Sequence, residues 1–303
     1  AEPAAGAVRP PSCLPLAVNR NRVESVLRTV YRDSMMTVMA TALPRAEQQQ
    51  AVGAGVQVVL LAALSAGADL GPVGWLAGIG YTLGLWALLA AAVWRAGVTT
   101  LGPADLVTLV RAVLVGGVAA LVTDALWDGA TPVAQPVVAA LVGTATVALV
   151  LDAVDGQVAR RSGTASALGA RFDMEVDAFL LLVLSVHVAA LLGPWVLAIG
   201  AMRYAFVVAG WIAPWLGSAL PTRYSAKVVA AVQGIVLVMA ASEVLPRPLA
   251  VAVVSTALAL LVWSFGHDVV WLWRNARPRR SAAAPMADPM AAPAATPMAR
   301  PQP

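Results

Sequence analysis

Eight long apolar runs set the terms on which this chain can fold. They lie at roughly 51–69, 72–94, 103–122, 133–154, 172–192, 195–216, 227–242 and 248–267, and each comes close to the ~20 residues that a helix needs to cross a bilayer. In hydrocarbon a segment must satisfy its own backbone N–H and C=O groups, which leaves helices or closed barrels. The runs are too long and too continuous for alternating barrel strands, so all eight are expected as helices. Pro72, Pro103, Pro136 and Pro194 fall near the starts of runs, where a missing N–H costs little. With 60% of the 303 residues hydrophobic and 12% charged, the chain carries more apolar surface than a soluble domain can hide. The expected fold is an all-α integral membrane protein.

The charges give the runs an orientation. Arg95, then Arg160, Arg161 and Arg171, then Arg223 and Lys227, then Arg274, Arg277, Arg279 and Arg280 alternate with links carrying Asp69, Asp124 and Asp128. An excess of Lys and Arg marks the cytoplasmic side. Arg247, beside Glu243, is the exception. The formal charge of +4 is therefore accounted for by membrane anchoring, and no nucleic-acid partner is expected. Residues 1–50 form a basic segment on the same cytoplasmic side, with no apolar h-region leading to a cleavage site, so no signal peptide is expected. Within it Val23, Val26, Leu27, Val30 and Tyr31 recur at helical spacing among arginines, the pattern of an amphipathic helix lying on the membrane surface. Residues 276–303 are rich in Ala, Pro and Met, cannot build a core and are expected to be disordered. Cys13 is the only cysteine, which excludes a disulfide framework or a cysteine metal site. No Walker loop, dinucleotide fingerprint or long internal repeat is present.

One region does not fit a purely structural span. Of sixteen acidic residues, five lie between Asp152 and Asp177, at the end of the fourth run and the start of the fifth. Ionised carboxylates clustered near hydrocarbon are costly unless a cation neutralises them. Asp152 and Asp155 are spaced i, i+3, and Asp173 and Asp177 i, i+4, so each pair projects from one helix face. Two antiparallel helices can then present four carboxylates to a common point. Hard oxygen donors without a nearby cysteine favour Mg²⁺ or Mn²⁺. Gly156, Ala159, Gly163 and Gly169 allow a ligand close to the backbone, and Arg160 is suited to phosphate oxygens.

The stretch Asp152-Ala-Val-Asp155-Gly156-Gln-Val-Ala159-Arg160, followed after eight residues by Gly169, then Asp173 and Asp177 at intervals of three intervening residues, resembles the signature of the CDP-alcohol phosphotransferases, D-x2-D-G-x2-A-R-x8-G-x3-D-x3-D. All eight fixed positions are present. Upstream, Pro103-Ala-Asp105-Leu-Val-Thr108-Leu-Val-Arg111 is similar to the P-N-x-L-T-x2-R of the first family helix, with Asp at 105 in place of the usual Asn. The resemblance implies a six-helix catalytic membrane domain over 101–275, preceded by an extra transmembrane hairpin over 51–95. It implies two divalent ions, Mg²⁺ or Mn²⁺, held by Asp152, Asp155, Asp173 and Asp177, with Asp177 as general base. It places Gly156, Ala159 and Gly169 at the cytidine site, with Arg160 near the phosphates and Thr108 and Arg111 on the same side. The implied reaction transfers a phosphatidyl-like group from a CDP-linked donor, such as CDP-diacylglycerol, to an alcohol or alcohol phosphate in phospholipid biosynthesis, with CMP leaving. Arg203, Arg223 and Lys227 are the candidate cations for a phosphorylated acceptor. Relatives are often homodimers, and the setting is a bacterial inner membrane with the site facing the cytoplasm.

Other readings stay open at this stage. A soluble CDP-alcohol donor with a lipid acceptor uses the same signature. A transporter also carries acidic residues inside a bundle, but usually near the midplane rather than clustered at one interface. His187, well inside a run, reads as a packing residue, and His267 beside Asp268 as an interfacial cap. Tryptophans at run ends (Trp94, Trp127, Trp195, Trp271, Trp273) read as an aromatic belt. Arg111 is the charge that most requires a partner, because it lies about two turns into its helix.

Overall fold

The computed structural model describes residues 45–96, 102–129, 133–162, 167–217 and 224–276; side chains at a few helix ends and over 154–162 and 167–168 fall outside that description. The segments 19–43 and 277–303, where the sequence predicts a surface helix and a disordered tail, lie outside the described residues. The described residues form eight α-helices: α1 (Arg45–Ala68), α2 (Pro72–Ala96), α3 (Pro103–Asp128), α4 (Gln135–Ser162), α5 (Ala167–Leu192), α6 (Leu197–Ile212), α7 (Tyr224–Ala241) and α8 (Arg247–Ala276). Short 3-10 turns occupy Pro194–Val196 and Pro214–Gly217. All eight helices are long and apolar enough to cross a membrane, and the described residues contain no strand.

The helix that organises the bundle is α3. Its apolar window is 72% buried, against 28% for α1 and 11% for α2, because α3 packs against α1, α2, α4 and α5. Around it α5 joins α6 and α7, while α7 pairs with α8. Leu141 of α4, Leu184 of α5 and Leu237 of α7 are fully buried in one continuous apolar core with Ala112, Val115 and Val118 of α3. Gln233, also fully buried, donates its side-chain N–H to the Ala257 carbonyl at 2.8 Å, which fixes α7 against α8.

Two helix ends differ from the apolar pattern, each for a local reason. The sixth run was expected to continue to 216, but α6 stops at Ile212 and Ala213 turns extended at φ −123° and ψ 91°. Pro214 follows it, and the proline ring disfavours helical geometry in the residue before it. The fourth run was expected to end at 154, whereas α4 continues to Ser162. Its last turns lose apolar character without losing the backbone ladder.

Asp124, which the charge pattern assigned to an outer link, lies within α3 and is only 8% exposed. It accepts N–H bonds from Gly71 at 2.7 Å and Gly74 at 2.8 Å. Those are the free donors of the α2 N-terminus, where a carboxylate also meets the positive end of the helix dipole. Nearby, Trp75 Nε1–H donates to Ser65 Oγ at 2.7 Å, and the Ser65 hydroxyl donates to the Leu70 carbonyl at 3.2 Å. The α1–α2 hairpin is thus closed at its tip and anchored to α3.

Candidate active site

The site begins at the N-terminus of α3. Pro103 opens the helix, and Asp105 accepts the Gly102 N–H at 2.9 Å, so the carboxylate satisfies a group the helix leaves unpaired. The amide oxygen of the Asn usual at this position in the resembling family would accept the same bond. The acid three residues past the helix entry was the sequence signal for it. Thr108 and Arg111 follow at spacings of three and are 2% and 1% exposed. The arrangement puts all three on the inner face of the most buried helix.

Arg111 meets three carboxylates from two other helices. One guanidinium nitrogen lies 3.0 Å from Asp152 of α4 and also contacts Asp173 of α5, and the other contacts Asp177 of α5. Asp152, Asp173 and Asp177 are half-buried, and each offers an oxygen within 4.8 Å of the others. Like charges so close repel, and the fixed fork of a buried guanidinium answers several of them at once. The pairing within α5 follows from the i, i+4 spacing of Asp173 and Asp177. Asp152 reaches the same point because α4 lies against α3.

The donor set is oxygen only, partly open to solvent and close enough to share one ion. With charges of −3 on the carboxylates and +1 on Arg111, the group retains −2. That balance and the hard ligands fit a divalent cation of the Mg²⁺ or Mn²⁺ type. The chemistry open to such a site is binding of a diphosphate and proton transfer to a carboxylate beside it.

The remaining sequence candidates are distributed around this centre. Asp155, Gly156, Ala159 and Arg160 fall on the continuous helical backbone of α4, with their side chains outside the described residues. Gly169 is buried in the first turn of α5. On α6, Arg203 forms an ion pair with Glu175 and directs an N–H toward Met174 Sδ at 3.1 Å. Glu175, to which the sequence assigned no role, is therefore the partner of a residue nominated for the acceptor. Lys227 is exposed in the first turn of α7, and Arg223 lies outside the described residues. Among the described residues, neither Arg203 nor Lys227 pairs with Asp152, Asp173 or Asp177. His187 is buried within α5 and lies outside this group. The expected belt tryptophans Trp94, Trp127 and Trp273 are exposed near helix ends.

Comparison with known proteins adds a family. A family model described as CDP-alcohol phosphatidyltransferase matches residues 101–263, which takes in α3 to α7 and much of α8 and leaves the α1–α2 hairpin outside. No curated protein and no solved structure matches the chain.

Proposed function

The chain belongs to the CDP-alcohol phosphatidyltransferase family, and from that membership we propose that it transfers a phosphatidyl group from CDP-diacylglycerol to the hydroxyl of an alcohol or alcohol phosphate, releasing CMP. The observation that carries the proposal is the convergence of Asp152, Asp173 and Asp177 on Arg111. It gathers at one point three of the carboxylates and the first-helix arginine of the family motifs.

In the proposed reaction the acceptor oxygen attacks the phosphorus that bears the lipid. A new O–P bond forms, the bond from that phosphorus to the bridging oxygen breaks, and CMP leaves with the electron pair. Asp177 accepts the acceptor's hydroxyl proton on a carboxylate oxygen. General-base help of this kind is worth roughly 10²–10⁴-fold in rate. Arg111 holds the carboxylates of α4 and α5 in one cluster and offers N–H donors to phosphate oxygens that enter it. Gly156, Ala159 and Gly169 are the proposed cytidine-site residues and Arg160 the proposed donor to the diphosphate, with Thr108 assigned to the same site. Asp152, Asp155, Asp173 and Asp177 would hold two Mg²⁺ or Mn²⁺ ions, which when bound supply neutralising charge for the diphosphate and the departing CMP.

For a phosphorylated acceptor, Lys227 and Arg223 at the start of α7 and Arg203 on α6 are the proposed cations, with Arg203 giving up part of its pairing to Glu175. We place the protein as a multi-pass protein of a cell inner membrane with this end of the bundle in the cytoplasm, following the arginine distribution. Assembly as a homodimer is compatible with this arrangement.

The test is CMP release by purified protein with CDP-diacylglycerol and Mg²⁺ or Mn²⁺ across glycerol 3-phosphate, inositol 1-phosphate, inositol and serine. Release that depends on one acceptor, and is lost with EDTA and in Asp177→Asn, supports the proposal and names the acceptor. Release only from a soluble CDP-alcohol with diacylglycerol as acceptor would reverse the assigned donor and acceptor classes. No release from any pair, with metal binding unchanged in Asp152→Asn, would remove the enzyme reading and favour a carrier.

A further inference from the structure

The α1–α2 hairpin lies outside the residues matched by the family, yet α2 touches residues that flank three of the four members of the charged cluster. The Tyr81 hydroxyl donates to the carbonyl of Ala112 at 2.9 Å, and Ala112 directly follows Arg111. The Tyr81 ring stacks on Phe179, with centroids 5.2 Å apart and planes 24° apart, and Phe179 lies two residues after Asp177. Two turns further along α2, Leu89 pairs with Leu109 of α3, and Phe172 packs against that pair with Val93. Phe172 directly precedes Asp173.

Tyr81, Leu89 and Val93 share one face of α2, being spaced by multiples of four residues. Leu85, between them, packs against the main core. The close approach is built into α3: a Cβ on Gly116 would come within 2.6 Å of the Tyr81 ring and 2.7 Å of Gln57. Only glycine lets α2 and α1 sit at this depth.

Resting on the family reading above, we propose that the inner face of α2 is a clamp that sets the separation of α3 from α5, and that Tyr81 is its principal positioning residue. In this proposal Tyr81 acts through the helices it joins and not on substrate or metal. It bonds to α3 and stacks on α5, and so fixes how far Arg111 stands from Asp173 and Asp177. The six-helix family domain is thereby supplemented here by an element that holds its charged residues in register. Misplacing catalytic groups by about 1 Å from a distance can cost on the order of 10²-fold in rate, so loosening the clamp reduces turnover and metal affinity while leaving the donor site largely intact.

The experiment uses the full-length protein in lipid nanodiscs and compares wild type with Tyr81→Leu, Tyr81→Phe and Leu89→Ala. Mn²⁺ affinity is read by electron paramagnetic resonance, and kcat and donor KM from CMP release. Tyr81→Leu is expected to lose about tenfold in kcat and to bind Mn²⁺ several-fold more weakly, with donor KM at saturating Mn²⁺ within about twofold. Tyr81→Phe, which keeps the stacked ring but loses the bond to Ala112, is expected to fall between wild type and Tyr81→Leu in both. If Tyr81→Leu does not fold, Leu89→Ala carries the same readouts. A folded Tyr81→Leu or Leu89→Ala protein with wild-type kcat and Mn²⁺ affinity overturns the clamp. If wild type binds Mn²⁺ but releases no CMP, the proposed reaction fails, while the Mn²⁺ affinities still decide the clamp.

Discussion

Replacing Arg111 by methionine keeps most of the side-chain volume but removes the charge that three carboxylates share. At 4.8 Å two carboxylates repel by about 3 kcal/mol at an effective dielectric of about 20. Three such pairs then meet without a counter-charge. Losing one partner of a fully buried pair costs about 3–5 kcal/mol. Asp152, Asp173 and Asp177 are 37–39% exposed, so solvent screens part of the repulsion, and a loss of about 2–3 kcal/mol is expected. The site passes from a formal −2 to −3, and the added negative charge attracts a divalent ion more strongly. Thermal unfolding of wild type and Arg111→Met, each in EDTA and in Mn²⁺, reads both effects. The variant should melt several degrees lower in EDTA and gain more from Mn²⁺ than wild type does. Equal melting of the two proteins in EDTA, or an equal gain from Mn²⁺, would refute the view that Arg111 neutralises this cluster.

Other perturbations separate the framework from the chemistry. Asp124→Ala strands the N–H groups of Gly71 and Gly74 at the start of α2 and should cost about 1–2 kcal/mol, seen as a lower melting temperature with donor KM unchanged. At Gly200 on α6 an added Cβ would collide with Ser185 Oγ and the Leu182 backbone of α5; Gly200→Ala should therefore separate α5 from α6 and reduce the folded yield, measured by size-exclusion chromatography in detergent. Lys227→Ala should raise KM for a phosphorylated acceptor several-fold and leave KM for an unphosphorylated one unchanged, as read from initial rates of CMP release.

The parts of the molecule written in local pattern were legible in the sequence. Runs of apolar residues located the eight helices of the described residues, because hydrocarbon admits few alternatives to a hydrogen-bonded helix. Their ends were less legible. Hydropathy falls at Asp152 while the backbone bonding of α4 continues, and Pro214 stops α6 inside an apolar run. At the site, the i, i+4 spacing of Asp173 and Asp177 showed two carboxylates on one face. A charge at Arg111 announced that it needed a partner, but not which one, since Asp173 and Asp177 are 62 and 66 residues away along the chain. The same holds for Tyr81 and Asp124. Their contacts depend on how helices pack, and nothing in their own neighbourhood of the sequence signals the partner.

The central position of α3 also bears on how the protein is made. This helix enters the bilayer carrying Asp105, Arg111 and Asp124, polar groups that are buried in the finished bundle, and lipid is a poor solvent for each of them. Synthesis runs from the N-terminus, so α1 and α2 precede α3 and offer it a docking face at Gly116, with the α2 N-terminus ready to receive Asp124. Arg111 gains its carboxylates only when α4 and α5 follow. The hairpin thus precedes α3 along the chain, and the charged centre is complete only once α4 and α5 have followed.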